Sequence, residues 1–591
     1  LQRQRGVHVI SSNVILEKNV PCILRDQTVL YADIYRPDQP GTFPVLLTRL
    51  PYSKDLPMFS HRYLDPNRLV GEGYVVIIQD VRGRYQSEGE FRPFQGEAED
   101  GYDTVEWAAS LPYASGKVGM FGLSYYGFTQ LMAATERPPH LGAIFPAMTL
   151  NDLRKGVLFH QGAYELGLWE TWIVESMLPD LIKRKYGDTP AYTQSMTRMA
   201  QNYNRIEGWD RNAPLDAWPL VEELGVEEFF SELLKHHVED DFWEKTSLQG
   251  KYGQIRVPAY HVGGWYDCLL GPTLENFREL QAKGGGLAKH HQKLLIGPWG
   301  HGDFSSVVGE RSFGIQASGD GIDLQEDLNQ LHLRWFDYWL KGIETQVMEE
   351  PPVKIFVMGI NRWRNEEEWP LARTRYVPYY FHSAGSARTR QGDGGLSTEK
   401  PGDEPCDSFI YDPGNPVPTQ GGATLYAGVN TMGPRDQREI EEREDVLVYT
   451  SEPLTEPLEV TGDVQVILWA ATDAKDTDFT AKLVDVMPDG RAYNLTDGIL
   501  RARYREGVQP AADLNGEVVE YSIDLWATSN VFLPGHRIRI EISSSNFPRF
   551  DPNPNTGKTL KESKEIRKAK QRIYHSAKTP SHVLLPVIPV Q

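Results

Sequence analysis

An α/β domain on a mainly parallel sheet, interrupted by a helical insertion and followed by a β-rich domain, is the architecture this sequence predicts. Three observations predict it. Short β-rich, largely apolar runs alternate with helix-periodic segments over the first third of the chain. The β signal then fades for about a hundred residues before it returns. Beyond Pro351-Pro352 the chain carries strand patterns alone.

Taken in order, Thr28 to Tyr35 reads as a strand, and Pro44 to Arg49 and Tyr74 to Asp80 are apolar runs of the kind buried on both faces of a parallel sheet. Gly101 to Ala108 has helical periodicity, Lys117 to Phe121 is strand-like, and Phe128 to Ala134 reads as a helix. From about Asp152 to Lys251 charged residues and helical stretches such as Leu220 to His237 dominate. Strands return at Val257 to Gly264 and Gln292 to Gly297, and a long amphipathic helix from Leu324 to Leu340 stops at Lys341-Gly342. Val353 to Met358, Asp445 to Tyr449, Leu458 to Thr461, Val464 to Trp469 and His536 to Ile542 resemble strands of a sandwich. The expected units are therefore residues 1–151 and 252–350 for two parts of one α/β domain, 152–251 for a helical cap, and 351–591 for the β domain.

The segment Gly122-Leu123-Ser124-Tyr125-Tyr126-Gly127 sits where a strand gives way to a helix. A serine between close glycines at such a junction makes a nucleophile elbow: the turn admits only small neighbours, lifts the hydroxyl clear of the sheet, and aims the next backbone N–H at a developing oxyanion. Tyr126 stands where the second glycine usually lies, and Gly127 follows it. A serine hydroxyl needs a general base, and in an α/β-hydrolase arrangement the acid and then the histidine follow on loops after later strands. Gly263-Gly264-Trp265-Tyr266-Asp267 and Gly297-Pro298-Trp299-Gly300-His301 end the two returning strands and supply both. His261 lies inside a strand and fits a core histidine, His290 and His291 precede a strand on the wrong edge, and Asp303 is too close to His301 to orient it. Asp80, with Arg82, Arg84, Ser87, Glu88 and Gly89, reads as a loop tie. The second oxyanion donor is sought in Leu50-Pro51-Tyr52-Ser53-Lys54, where Tyr52 serves equally as a phenolic donor or as an aromatic packed on the elbow.

Composition limits the function classes. With 591 residues and 40% hydrophobic content the chain fills several cores, and its net charge of −20 without a compensating basic stripe argues against a polyanionic partner such as nucleic acid. The basic run from Lys558 to Arg572 is interleaved with glutamate and serine and reads as solvated surface. Cys22, Cys268 and Cys406 lack metal-ligand spacing and cannot build a disulfide framework. No apolar run is long enough to span a bilayer, so a soluble chain is expected, cytoplasmic or secreted after leader removal, and compatible with a homo-oligomer.

Together these motifs resemble the CocE/NonD hydrolase family, bacterial cocaine esterase-like serine hydrolases related to X-Pro dipeptidyl-peptidases and α-amino acid ester hydrolases. The resemblance runs through Arg49-Leu50-Pro51-Tyr52, Asp80-Val81-Arg82-Gly83-Arg84, Gly119 to Tyr125, Gly264 to Asp267, Gly297 to His301 and Arg334 to Gly342, and includes Asp445 to Trp469. It implies an α/β-hydrolase domain with a helical cap and a C-terminal jelly-roll-like β domain. It also implies that the tyrosine after the serine, with its displaced glycine, is the family's own elbow, and that the oxyanion hole pairs the Tyr52 hydroxyl with the backbone N–H of Tyr125. Ser124, Asp267 and His301 are the expected triad, acting on a small-molecule ester or amide without metal or organic cofactor. Family members that bind a substrate ammonium place acidic residues just after the catalytic aspartate. Here Cys268-Leu269-Leu270 follow, so an apolar acyl group is expected against Leu269, with Trp169 and Trp172 of the cap as pocket walls. A carboxylesterase or acylase is the leading expectation. An X-Pro dipeptidyl-peptidase or β-lactam side-chain acylase is the enzymatic alternative, and a non-catalytic carbohydrate- or surface-binding protein the alternative of another class.

Overall fold

The computed structural model describes residues 14–61, 63–203, 236, 241–425, 432–558 and 565–589. Residues 204–235 and 237–240, which hold most of the expected helical stretch 220–237, and residues 559–564 of the basic run lie outside the described residues.

The first unit is built on a ten-stranded sheet. Its strands are β1 (Val14–Ile23), β2 (Val29–Pro37), β3 (Phe43–Leu50), β4 (Val75–Asp80), β5 (Ala114–Leu123), β6 (Leu141–Ala147), β7 (Ala259–Tyr266), β8 (Gln292–Gly300), β9 (Val353–Val357) and β10 (Arg362–Glu366). Across the sheet they lie in the order β1-β2-β4-β3-β5-β6-β7-β8-β9-β10. From β4 to β9 every neighbouring pair is parallel, so the C-terminal ends of β3, β5, β7 and β8 share one edge. Every residue of β4, β7 and β8 is buried, which is why these strands read as unbroken apolar runs rather than alternating ones. Helices α1 (Glu97–Ala109) and α2 (Tyr125–Thr135) pack beside the central strands, and α2 is buried at all its positions.

One expectation is corrected here. Val353–Val357 belongs to this sheet and not to the sandwich: it runs parallel to β8, with Leu294 opposite Val353, and then pairs antiparallel with Arg362–Glu366. A five-residue apolar run carries no mark of which core it enters, so sequence pattern alone could not place it. We therefore propose that the boundary between the two units follows Glu366 rather than Glu350.

The insertion is mainly helical where it is described, but it opens with a short hairpin, Phe159–His160 against Ala163–Tyr164. Helix α3 (Leu166–Trp172) continues through a π-turn at Ile173–Met177 into a further helix, Leu178–Tyr186. After β7, α4 (Leu270–Lys283) returns the chain to β8. The expected helix from Leu324 begins at Leu328, where the Asp327 side chain accepts the Gln330 N–H as N-cap, and ends at Gly342 in left-handed conformation.

The β unit is a largely antiparallel assembly centred on the long strand Leu458–Thr472, which pairs with Val519–Phe532, Ala569–Ser576 and His582–Ile588. Its interior holds a polar chain. The Tyr449 hydroxyl donates to Asp407 at 2.9 Å, the His575 ring lies 2.9 Å from Asp407 and 3.2 Å from Glu404, and His382 lies 2.9 Å from the other Glu404 oxygen. Burial disfavours a charged His575, yet the two carboxylates outweigh it and raise its pKa above the ordinary histidine value. Asp407 is likewise held below its usual range despite burial, by His575 and the Ala387 N–H. A histidine pKa raised by folding contributes stability that is complete below the unfolded value, about 6.5, and is lost as pH rises through the higher folded value. The urea midpoint should therefore fall as pH rises above about 6.5, and His575→Gln should flatten that slope. An unchanged slope in the variant would assign the pH dependence to other groups.

Candidate active site

Four of the expected residues leave the same edge of the sheet. Tyr52 follows β3, Ser124 follows β5, Asp267 follows β7 and His301 follows β8. Ser124 has φ 58° and ψ −126°, a sparsely populated positive-φ conformation that a residue with a side chain adopts only when its surroundings over-determine it. The surroundings do so. The Ser124 N–H donates to the Ala147 carbonyl at 2.9 Å, and its own carbonyl accepts from the Thr149 hydroxyl and from the N–H groups of Gly127 and Phe128. A Cβ on Gly122 would lie 2.3 Å from the Tyr126 ring, and one on Gly127 would lie 2.6 Å from Thr149 Cβ. Both glycines are thus steric requirements of the elbow, and the displaced one serves the contact between α2 and the loop after β6. Tyr126 packs edge-on against Tyr52, at 6.0 Å between ring centroids.

His301 Nδ1 lies 2.7 Å from Asp267 Oδ1. A carboxylate there accepts a hydrogen bond from Nδ1–H, which fixes the tautomer that leaves Nε2 as an acceptor. The Asp267 side chain is fully buried and that of His301 is 8% exposed. The Leu269 N–H also donates to Oδ1, whereas Oδ2 is buried without a hydrogen-bond partner among the described residues. His301, Ser124 and Tyr52 line the same two cavities.

Tyr52 is held from three sides. The Trp172 indole N–H donates to its hydroxyl at 3.0 Å, its ring stacks on Phe59, and the Arg84 guanidinium donates to the neighbouring Pro51 carbonyl at 2.8 Å. The same guanidinium donates to the Ser176 and Met177 carbonyls of the π-turn, so it joins the Tyr52 loop to the cap. Lys54 and Asp80 form a fully buried ion pair at 2.9 Å, and the Ser87 hydroxyl donates to the Asp80 carbonyl, which is the loop tie read from the sequence. Burial pushes the Tyr52 phenol up to about 12, with Trp172 and Ser124 opposing, so it remains a neutral donor near pH 7. Tyr125 begins α2, where backbone N–H groups have no intrahelical acceptor. Its side chain points elsewhere, donating to buried Glu97 at 2.7 Å and accepting the Phe94 N–H. His261 is a core histidine, fully buried, 2.8 Å from Gln292, with burial lowering its pKa to about 4.

Two cavities meet at Ser124. The smaller, about 30 Å³, is apolar and brings together Trp169, Trp172 and Leu269 with Phe94, Val157 and Cys268. The larger, about 520 Å³, is lined by Phe59, Tyr63, Phe304 and Leu328, and by the carboxylates Glu175, Asp303 and Asp320. No lysine or arginine is among the described residues lining it. Leu425, from the β unit, borders both. Neither Leu425 nor Phe94 carried a signal in the sequence, because each comes from a loop without periodicity or motif. Nor did the bond from Trp172 to Tyr52. Gly300 marks another contribution of the β unit: a Cβ there would meet Met432 Sδ at 2.0 Å, so the loop carrying His301 is pressed against that unit.

The comparison with known proteins agrees with this frame. The X-Pro dipeptidyl-peptidase (S15) family matches residues 26–303, and the X-Pro dipeptidyl-peptidase C-terminal non-catalytic domain matches residues 345–584. The cocaine esterase of Rhodococcus sp. strain MB1 Bresler is 39% identical over 98% of this chain and 100% of its own length. The chain belongs to the CocE/NonD family of serine hydrolases. Its fold recurs over its whole length in an aminopeptidase from a marine sediment archaeon, Thaumarchaeota archaeon (26% identity, TM-score 0.80, 100% of this chain and 98% of the other). It recurs also in an α-amino acid ester hydrolase (25% identity, TM-score 0.77, 99% and 98%). As a family member the chain is a serine esterase or acyl hydrolase with an α/β catalytic unit and a β-rich C-terminal unit. Among the described residues no helix is long and apolar enough to cross a membrane.

Proposed function

We propose that this enzyme is a carboxylesterase for small molecules with a compact, uncharged acyl group and a larger leaving group that is neutral or cationic. His301 Nε2 takes the proton of Ser124 as the hydroxyl attacks the carbonyl, and Asp267 fixes the tautomer and stabilises the imidazolium. The oxyanion is held by the Tyr52 hydroxyl and the Tyr125 N–H. His301 then protonates the leaving group, and water repeats the sequence on the acyl-enzyme to release the acid. The observation that carries the triad is the 2.7 Å contact of His301 with buried Asp267, at the sheet edge where Ser124 stands in its strained turn.

The selectivity rests on the two cavities. Cys268 and Leu269 make the acyl side apolar, so a charged acyl substituent would be desolvated there without a partner. Glu175, Asp303 and Asp320 face the other side and repel an anionic leaving group. X-Pro peptide substrates are the competing class, favoured by the S15 family match. A substrate panel decides between them. For esters sharing one short acyl group, kcat/KM should be at least about tenfold higher with a dialkylaminoethyl alcohol than with a carboxylate-bearing alcohol of similar size, a difference of about 1.4 kcal/mol. Both the aminoalkyl esters and neutral aryl esters should exceed X-Pro 4-nitroanilides. Faster cleavage of the anilides would make the protein a peptidase.

A further inference from the structure

Cys268 follows Asp267 directly and lines the small cavity, where its apolar bulk serves the proposed selectivity, but its thiol takes no part in the bond-breaking steps proposed above. One ligand atom from each of Asp267, Cys268 and His301 lies within 4.8 Å of the other two, and among the described residues no other such trio of histidine, cysteine or acidic side chains comes together. The sequence hid this arrangement because His301 lies far beyond the pair in the chain. From these positions we infer that Asp267, Cys268 and His301 form an inhibitory site for a thiophilic divalent cation, zinc or cadmium in kind.

Three physical points carry the inference. First, the donor set is one thiolate, one imidazole and one carboxylate, which is what d¹⁰ cations select. Second, the charges cancel. A divalent ion with a thiolate, a carboxylate and a neutral imidazole is a neutral cluster, so the apolar surroundings do not oppose it as they would a lone ion. Third, Asp267 Oδ2 is buried without a hydrogen-bond partner among the described residues, and a cation would occupy that vacant acceptor. Tetrahedral bond lengths place ligand atoms about 3.5 Å apart, so atoms that lie within 4.8 Å of one another need to close by at most about 1.3 Å, and the 2.7 Å contact of His301 Nδ1 with Asp267 Oδ1 gives way to the ion.

The balance of protons explains the inhibition. The ion bonds to Cys268 Sγ, and the thiol proton goes to solvent. It also bonds to His301 Nδ1, whose proton moves to Nε2, so the imidazole stays neutral. Nε2, now protonated, cannot accept the proton of Ser124. The loss of activity therefore rests on the proposed triad, whereas the metal site itself does not.

Cadmium chloride tests it. One equivalent should bring up the ultraviolet cadmium–thiolate charge-transfer band and abolish ester hydrolysis, and excess EDTA should remove the band and restore the activity. Losing an outer partner of a metal site costs 10–100-fold in affinity, so losing a ligand should cost at least about a hundredfold. Within each variant, the cadmium concentration needed for half inhibition should rise by that factor in Cys268→Ser and stay unchanged in Cys406→Ser. His301→Gln, read by the band alone, should weaken binding similarly, which covers the case that Cys268→Ser does not fold. A band that survives in Cys268→Ser, equal inhibition of that variant, or no band in the wild type would overturn the site. A band lost in Cys268→Ser but accompanied by full wild-type activity under cadmium would uphold the cation site, overturn its inhibitory role and remove His301 from catalysis.

Discussion

Ser124→Ala is expected to lower kcat by on the order of 10⁶-fold, to lose all labelling by a fluorophosphonate, and to keep the unfolding midpoint of the parent. The size follows from the role proposed: without the hydroxyl no acyl-enzyme forms, and the remaining rate comes from the oxyanion donors and substrate binding alone. The unchanged midpoint follows from the backbone. Alanine keeps a Cβ at φ 58°, so the strain of the elbow, on the order of 1–3 kcal/mol, is neither relieved nor increased. Measuring burst-phase acylation beside thermal unfolding separates the two effects. Residual turnover within about tenfold of the parent would mean that another nucleophile acts, and the assignment of Ser124 would fall.

Tyr52→Phe should cost about 10²- to 10³-fold in kcat with little change in KM, the loss of one oxyanion donor worth about 2.7–4 kcal/mol. It should also leave the Trp172 indole N–H without its acceptor. A buried donor left unpaired costs about 1–3 kcal/mol, so the variant should be less stable as well as slow. The two losses are separable. Trp172→Phe removes the same hydrogen bond but keeps the phenol, and should reproduce more of the stability loss than of the kcat loss. If Tyr52→Phe retains near-normal kcat, Tyr52 is a packing residue and the hole has another donor.

Much of this was legible from residue order, and the exceptions have physical causes. Parallel strands buried on both faces write continuous apolar runs, so β4, β7 and β8 and the loops that end them could be read directly. Val353–Val357 is written in the same code, but apolar runs do not name their neighbours, and only pairing with β8 placed it in the first sheet. The expected pocket residues Trp169, Trp172 and Leu269 do meet around one cavity, while Leu425, Phe94 and the hydrogen bond from Trp172 to Tyr52 are products of tertiary packing without a local pattern. The grouping of Cys268 with Asp267 and His301 escaped for a related reason. Metal-ligand motifs are recognised by short spacing, and here the third donor arrives on a different strand.

Leu425 at the rim of both cavities and Met432 against Gly300 have a consequence for how selectivity can evolve in this architecture. The proposed reacting groups all come from the α/β unit, but the cavities proposed to sort substrates share their walls with a segment encoded far downstream. Recombination that exchanges the C-terminal unit between related genes would therefore change the substrate filter and the packing behind the loop that carries His301, without replacing any of the proposed reacting groups.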